Sequence, residues 1–282
     1  MDALPPIKEI MSRLPEEIRR KYQNTEKSSE TRAEKESKLL NLAPGDLRWY
    51  DCHKCLNRGF IYVPDGDYVV TRDCDCMGIR QSIRNIERSG IKQQMDKCTF
   101  DTFKATEPWQ KALLNGAKQF MHDHDNKWFF AGGQVGCGKT HICTAICGAF
   151  LNAGMAVKYM LWRDEIVRIK AVANDDDERQ SMILPLKKAP VLYIDDFFKT
   201  VDEYDQYGNV VKKKPTAAEM SVAFEIINYR YGRRDLITVI STERSVDDLL
   251  SCDEAVGSRI YERAKEYGFY FQPDRAKNYR LR

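Results

Sequence analysis

Three groups of residues in this chain have types and spacings suited to chemistry. The first is Gly133-Gln-Val-Gly136-Cys137-Gly138-Lys139-Thr140, which fits G-x-x-x-x-G-K-[S/T]. An apolar run, KWFFAG, precedes it and a small-residue run, THICTAICGAFL, follows, so the pattern lies between a strand and a helix. Glycines let successive backbone N–H groups turn inward around phosphates, and the N-terminus of the helix adds positive potential. Lys139 would then reach the β- and γ-phosphates of ATP, and the Thr140 hydroxyl would ligate Mg²⁺.

The second group ends another apolar run, where Val191-Leu-Tyr-Ile194 leads into Asp195-Asp196. An unbroken apolar run suits a strand buried on both faces, and acids at its C-terminal end would lie in the crevice where such sheets bind ligands. Asp195 is assigned to Mg²⁺ through water, and Asp196 to the general base that polarises the attacking water. Paired acids favour hydrolysis of ATP over transfer to a small acceptor.

The third group is Cys52-His-Lys-Cys55 and Cys74-Asp-Cys76, joined by NRGFIYVPDGDYVVTRD. The joining segment reads as a hairpin, GFIYV and YVVTR around a PDGD turn. A hairpin brings its ends together, so Cys52, Cys55, Cys74 and Cys76 would surround one metal, for which tetrahedral Zn²⁺ is the natural occupant. Free thiols are the alternative. Four thiolates leave no open coordination position, so such a site is structural. Cys137, Cys143 and Cys147 have helix-like spacing and are expected to pack.

These groups need elements to hold them. From Thr99 onward apolar runs alternate with helical patterns, the signature of a parallel α/β sheet. Strands are predicted at Lys127–Gly132, Ala156–Trp162, Pro190–Asp195, Leu236–Thr242 and Gly268–Gln272. The chain has 282 residues, 43% of them hydrophobic, enough for one nucleotide-binding domain and a small extra module. The predicted divisions are a helical segment over 1–48, a zinc hairpin module over 49–90, a connector over 91–104 and an ATPase domain over 105–282. Ile7, Ile10, Met11 and Leu14 make one helical face, and a polar spacer follows. No apolar stretch is long enough to cross a membrane, and the first residues lack an apolar signal core, so a cytoplasmic protein is expected. A net charge of +3 does not by itself argue for nucleic acid. Lys199 and Val211-Lys-Lys-Lys214 form a local basic run that could face single-stranded DNA or simply be solvated.

In their order along the chain, CHKC, TFDTF (Thr99–Phe103), GQVGCGKTH, VLYIDDFF, FEIINYRY, ITVIST, GSRIYERA and NYRLR resemble the DnaC/DnaI-type helicase loaders, especially the phage and prophage versions. The resemblance covers most of the chain from Cys52 to Arg282. It implies an AAA+ fold with a five-stranded parallel sheet and no C-terminal lid. It implies nucleotide contacts from Gly133, Gly136, Cys137, Gly138, Lys139, Thr140, His141 and Arg280, the last as the sensor-2 arginine acting in cis. It also implies a sensor-1 role for Thr242 and a trans-acting arginine finger at Arg263, with Arg259 competing. The implied partners are a hexameric replicative helicase gripped through the N-terminal segment, single-stranded DNA, and further copies of the chain through the ATPase domains. A transposition ATPase of the IstB type is the nearest alternative. From other classes, a P-loop nucleoside kinase and a zinc-containing DNA-binding protein with a vestigial ATPase compete.

Overall fold

A computed structural model of the chain describes residue 16 and residues 30–48, 50–88, 92–199, 202–204, 210–212 and 214–281. The stripe Ile7, Ile10, Met11 and Leu14 lies outside them, as does Lys213 of the basic run. The chain divides into two compact units, Met1–Ile83 and Arg84–Arg282. Among the described residues no helix is long and apolar enough to cross a membrane.

In the first unit, helix α1 (Arg32–Leu40) begins at a capping box in which Thr31 and Glu34 satisfy each other's backbone N–H groups. It buries Ala33, Leu39 and Leu40 against the hairpin of β1 (Phe60–Asp65) and β2 (Tyr68–Asp73). The hairpin pairs Phe60 with Asp73 and Asp65 with Tyr68. Arg58 closes the helix end: its guanidinium donates to the carbonyls of Leu40 (3.0 Å) and Ala43 and to Asn41 Oδ1 (2.7 Å). Helix α2 (Cys76–Arg88) starts at the last cysteine of the cluster. From it the buried Arg80 donates to the carbonyls of Arg48 and Tyr50 and to Asn57 Oδ1. That pins the segment that carries Cys52 and Cys55.

The second unit continues with α3 (Lys92–Lys97), α4 (Pro108–Phe120), β3 (Phe129–Gly133), α5 (Lys139–Asn152), β4 (Val157–Leu161), α6 (Trp162–Ala171), α7 (Asp176–Lys188) and β5 (Val191–Asp195). A short antiparallel pair, β6 (Asp202–Tyr204) and β7 (Val210–Lys212), follows, then α8 (Ala217–Tyr231), β8 (Ile237–Ser241), α9 (Val246–Cys252), α10 (Glu254–Arg263) and β9 (Gly268–Phe271). The five long strands form one parallel sheet in the order β4-β5-β8-β3-β9. All five strands predicted from the sequence are present within a residue or two of their expected ends.

Helices cover both faces of the sheet, because side chains alternate along each strand. Phe129, Val191, Tyr193, Ile237 and Val239 join α4 and α5 residues in one core, with Leu113, Phe120, Ile142, Ile146 and Phe150. Their neighbours Phe130, Leu192, Ile194 and Ile240 join the other core with Trp162, Ile166, Ile226 and Ile260. Every residue of β3, β5 and β8 is buried. Cys137, Cys143 and Cys147 lie in the α5-side core, as their spacing led us to expect. The C-terminal ends of β3, β5 and β8, central neighbours in this order, therefore meet in one crevice.

Candidate nucleotide site and cysteine cluster

The loop after β3 takes a shape that needs its glycines. Gly133, Gly136 and Gly138 have φ of 96°, 73° and 94°, a region costly for residues with a Cβ. At Gly133 a Cβ would also stand 2.1 Å from the Phe271 carbonyl oxygen, and at Gly136 2.0 Å from Asn278 Oδ1. Backbone contacts close the same interface, Gln134 N–H donating to Phe271 O (2.8 Å) and Tyr279 N–H to Gly136 O (3.0 Å). Gly133→Ala is therefore expected to destabilise the fold by more than about 1 kcal/mol and to abolish nucleotide binding. Thermal unfolding and titration with a fluorescent nucleotide check this.

Lys139 is buried at the start of α5, and its ammonium donates to the carbonyls of Gly133 (2.8 Å) and Gln134 (2.6 Å). Burial lowers its proton affinity, opposed by nearby acidic groups that include Glu243 and Asp196. Thr140 Oγ1 donates to Asp195 Oδ1 at 3.4 Å. A hydroxyl and a carboxylate side by side are hard oxygen donors of the kind Mg²⁺ takes.

Asp195 is 5% exposed, and its carboxylate is held by donors that the sequence alone did not reveal. Tyr193 donates at 2.8 Å and Tyr159 at 3.1 Å, Ser241 donates through a short bond, and the Asp196 N–H donates at 3.1 Å. Burial, and then the Asp195 charge, push both tyrosine hydroxyls up, so they remain donors. Asp196 has a left-handed backbone, φ 53°, as does Phe198, φ 54°. Between them Phe197 and Phe198 stack on each other and pack edge-on against Trp162, which anchors the turn in the core. Strained backbone held by burial is common where geometry matters for function. The Asp196 carboxylate is left at the crevice, paired with Lys199 at 3.0 Å.

Other expected residues are placed differently. Thr242 is fully buried and points away from the crevice: its hydroxyl donates to Phe197 O at 2.6 Å and accepts from the Arg244 N–H. The hydroxyl at this strand end that reaches Asp195 belongs to Ser241, one residue earlier, because neighbours on a strand face opposite sides. Arg263 is turned inward rather than outward. It is 9% exposed and donates to the Asn126 carbonyl at 2.8 Å and to the Tyr231 carbonyl while lying over the Tyr231 ring. A finger for a neighbouring subunit must project, and this guanidinium is committed to its own fold. Arg259, one helical turn earlier, lies over the rings of Phe224 and Tyr231 with one bond to Ala255 O, and its Nε has no partner. Arg280 is exposed in the final 3₁₀ turn, Tyr279–Leu281, whose first N–H binds the loop carbonyl of Gly136. His141 Nε2 sits 3.0 Å from Thr99 O, edge-on to Phe103, so the TFDTF segment packs on the start of α5.

In the first unit the four sulfurs of Cys52, Cys55, Cys74 and Cys76 lie within 4.8 Å of one another, all buried. Four thiolates at about 2.3 Å from a Zn²⁺ stand about 3.8 Å apart along each tetrahedron edge. The Cys52–Cys74 and Cys55–Cys76 separations are 3.8 Å and 3.5 Å. The Gly59 N–H donates to Cys55 Sγ at 3.3 Å. Burial raises the Cys55 thiol, but that amide and the neighbouring thiols outweigh it and bring it down to about 7, whereas burial pushes Cys76 up to about 12.

The geometry can be set beside known proteins. No family model matches the chain. The phage-like element PBSX protein XkdC of Bacillus subtilis (strain 168) is 28% identical over 235 residues, 80% of this chain and 84% of that protein. The replicative helicase loader DnaC of Escherichia coli (strain K12) is 26% identical over 127 residues, 44% of this chain and 52% of that protein. The crystal structure of the DnaC helicase loader covers 64% of this chain and 99% of that one, with 19% identity and a TM-score of 0.50. This chain is similar in sequence to DnaC-type helicase loaders and shares their fold. DnaI has the same fold, with a TM-score of 0.50, 16% identity, and coverage of 64% of this chain and 93% of that one. The DnaC-type core accounts for the strand order and for the phosphate-loop and acidic segments meeting at adjacent strand ends. The match to the Escherichia coli protein spans about half of that protein's length.

Proposed function

We propose that the chain is an ATP-hydrolysing loader that places a hexameric replicative helicase on single-stranded DNA. The observation that carries the reading is the convergence of Lys139, Thr140, Asp195 and Asp196 at neighbouring strand ends of a DnaC-type fold, with Thr140 and Asp195 3.4 Å apart. In this reading backbone N–H groups of residues 133–141, including those of Gly136, Cys137, Gly138 and His141, surround the phosphates. Lys139 leaves the loop carbonyls for the β- and γ-phosphates. Thr140 and Asp195 would hold Mg²⁺, which supplies charge neutralisation at the phosphates when bound. Asp196 accepts a proton as water attacks the γ-phosphorus and the bond to the ADP oxygen breaks. Arg280 touches nucleotide in cis, and Arg259 replaces Arg263 as the residue offered to a neighbouring copy. Ser241, through Asp195, takes the place at the β8 end first assigned to Thr242.

The four cysteines would hold a structural Zn²⁺ in a module over residues 49–90, ahead of a connector (91–104) and the ATPase domain (105–282). The segment over residues 1–48 is proposed to bind the helicase, because Ile7, Ile10, Met11 and Leu14 recur at helical spacing in the sequence ahead of a polar spacer, and helix-in-groove binding suits that spacing; docking on the chain's own ATPase core is the alternative.

Capture of a purified hexameric replicative helicase tests the reading. The full chain is expected to retain helicase, with retention altered by ATP. Ile10→Asp with Leu14→Asp is expected to lose the helicase while binding ATP as the wild type does. Undiminished capture by that double variant would remove the N-terminal segment from the interface.

A further inference from the structure

The donors that meet the Asp195 carboxylate divide unequally between its two oxygens. Oδ1 takes the Tyr193 hydroxyl at 2.8 Å, the Asp196 N–H at 3.1 Å, the Thr140 hydroxyl at 3.4 Å and the Ser241 hydroxyl through a short bond. Among the described residues, Oδ2 takes one donor, the Tyr159 hydroxyl at 3.1 Å. An ionised carboxylate offers about four lone-pair sites, two on each oxygen. Oδ1 is therefore saturated, and Oδ2 has one site left. These donors are all neutral, so they orient a carboxylate that is 5% exposed without cancelling its charge. Buried charge of that kind calls for a cation. Asp195, assigned to Mg²⁺ through water, must accept a hydrogen bond from that water, and the acceptor site left for it is on Oδ2, beside the bond from Tyr159. The sheet places Tyr159 for this. It stands on β4 opposite Tyr193 of β5, with the two rings edge-on and 5.4 Å apart. The ring packs and the hydroxyl orients, so the two contributions can be separated. Without the hydroxyl, Oδ1 stays tethered but Oδ2 does not, and the direction of its remaining lone pair is lost.

We infer that Tyr159 is a positioning residue for the metal: by fixing Oδ2 of Asp195 it aims the remaining acceptor site at a water on the Mg²⁺ that accompanies the nucleotide. The inference rests on the nucleotide-binding reading above, in which Thr140 and Asp195 supply the hard oxygens for that ion.

Equilibrium titration of the full chain with fluorescent β,γ-methylene-ATP, once with Mg²⁺ and once with EDTA, tests it without any turnover. The ratio of the two affinities measures what the metal adds. Tyr159→Phe keeps the ring, and it is expected to lower that ratio on the order of tenfold, the low end for loss of a partner behind a metal ligand, with metal-free affinity within about twofold of wild type. The metal-free titration also reports that the variant is folded. Tyr193→Phe is expected to lower the ratio by about threefold at most, because Ser241 and the Asp196 N–H still hold Oδ1. Weakening by Tyr159→Phe that is equal with and without Mg²⁺ would show a structural role only and overturn the inference. An equal fall of the ratio in both phenylalanine variants would overturn it too, since Oδ2 would then have no special part. A wild-type chain whose affinity ignores Mg²⁺ would remove the metal from Asp195 and overturn the inference while leaving the nucleotide site standing. A wild-type chain that binds no nucleotide would remove the site itself, and this role with it.

Discussion

Arg259→Ala is expected to bind ATP as the wild type does and to hydrolyse it on the order of 10³-fold more slowly. A trans-acting arginine stabilises charge that develops on the transferring phosphoryl group, so its loss falls on turnover and spares binding. Arg259 can play this part because its half-buried guanidinium makes one backbone bond, to Ala255 O, and otherwise rests on the rings of Phe224 and Tyr231, with Phe224 itself exposed. Mixed with Lys139→Ala, the Arg259→Ala protein is expected to regain part of its activity, since one copy supplies an intact nucleotide loop and the other the arginine. Arg263→Ala is expected to fail differently. It removes the charged donor from the part-buried bonds to the Asn126 and Tyr231 carbonyls, at roughly 1–3 kcal/mol. Asn126 leads into β3 and Tyr231 ends α8, so the melting temperature should fall, and no partner copy should restore it. A stable Arg263→Ala chain that is rescued by Lys139→Ala, with Arg259→Ala fully active, would return the finger to Arg263.

Metal removal is the second large effect. The purified chain is expected to carry about one Zn²⁺ per molecule, and Cys55→Ser is expected to carry none and to lose the folded structure of the first unit. The reason is the size of that unit's core. Among the described residues of 30–83, the buried apolar side chains besides the cysteines are Ala33, Leu39, Leu40 and Ile79. So few do little to offset the chain entropy of ordering this segment, and in small modules of this kind the metal supplies folding free energy. Cys55 is the sharpest position because its sulfur is fully buried and takes the Gly59 amide. Acidification should release the metal as a chelator does, since protons compete for the thiolates. Circular dichroism and limited proteolysis would report the unfolding, with cleavage confined to residues before 84. Nucleotide binding should survive, because the phosphate loop and acidic strand belong to the second unit with its own core. Zinc-free protein, purified without chelator and with an intact first unit, would refute the metal assignment.

Much of this molecule was determined by the sequence alone, where the signal is local. G-x-x-x-x-G-K-T between an apolar run and a helix specifies its own turn, because positive φ at Gly133, Gly136 and Gly138 is a property of those residues. The central strands β3, β5 and β8 were legible because each is buried on both faces and therefore reads as an almost unbroken apolar run; the edge strands β4 and β9 are only partly buried. The cysteine cluster was legible because a hairpin returns to its start, a short-range consequence of the PDGD turn. Tertiary structure alone decided the rest. Tyr159 and Ser241 come from the strands on either side of β5 and meet Asp195 only through cross-strand register, with Tyr159 opposite Tyr193 and Ile194 opposite Ile240. One residue of register separates Ser241, on the carboxylate, from Thr242, on the Phe197 carbonyl, and nothing in ITVIST says which faces which way. Arg259 and Arg263 are one helical turn apart and alike in sequence. That Arg263 turns inward follows from its bonds to the Asn126 and Tyr231 carbonyls, 137 and 32 residues away along the chain, which no local pattern encodes.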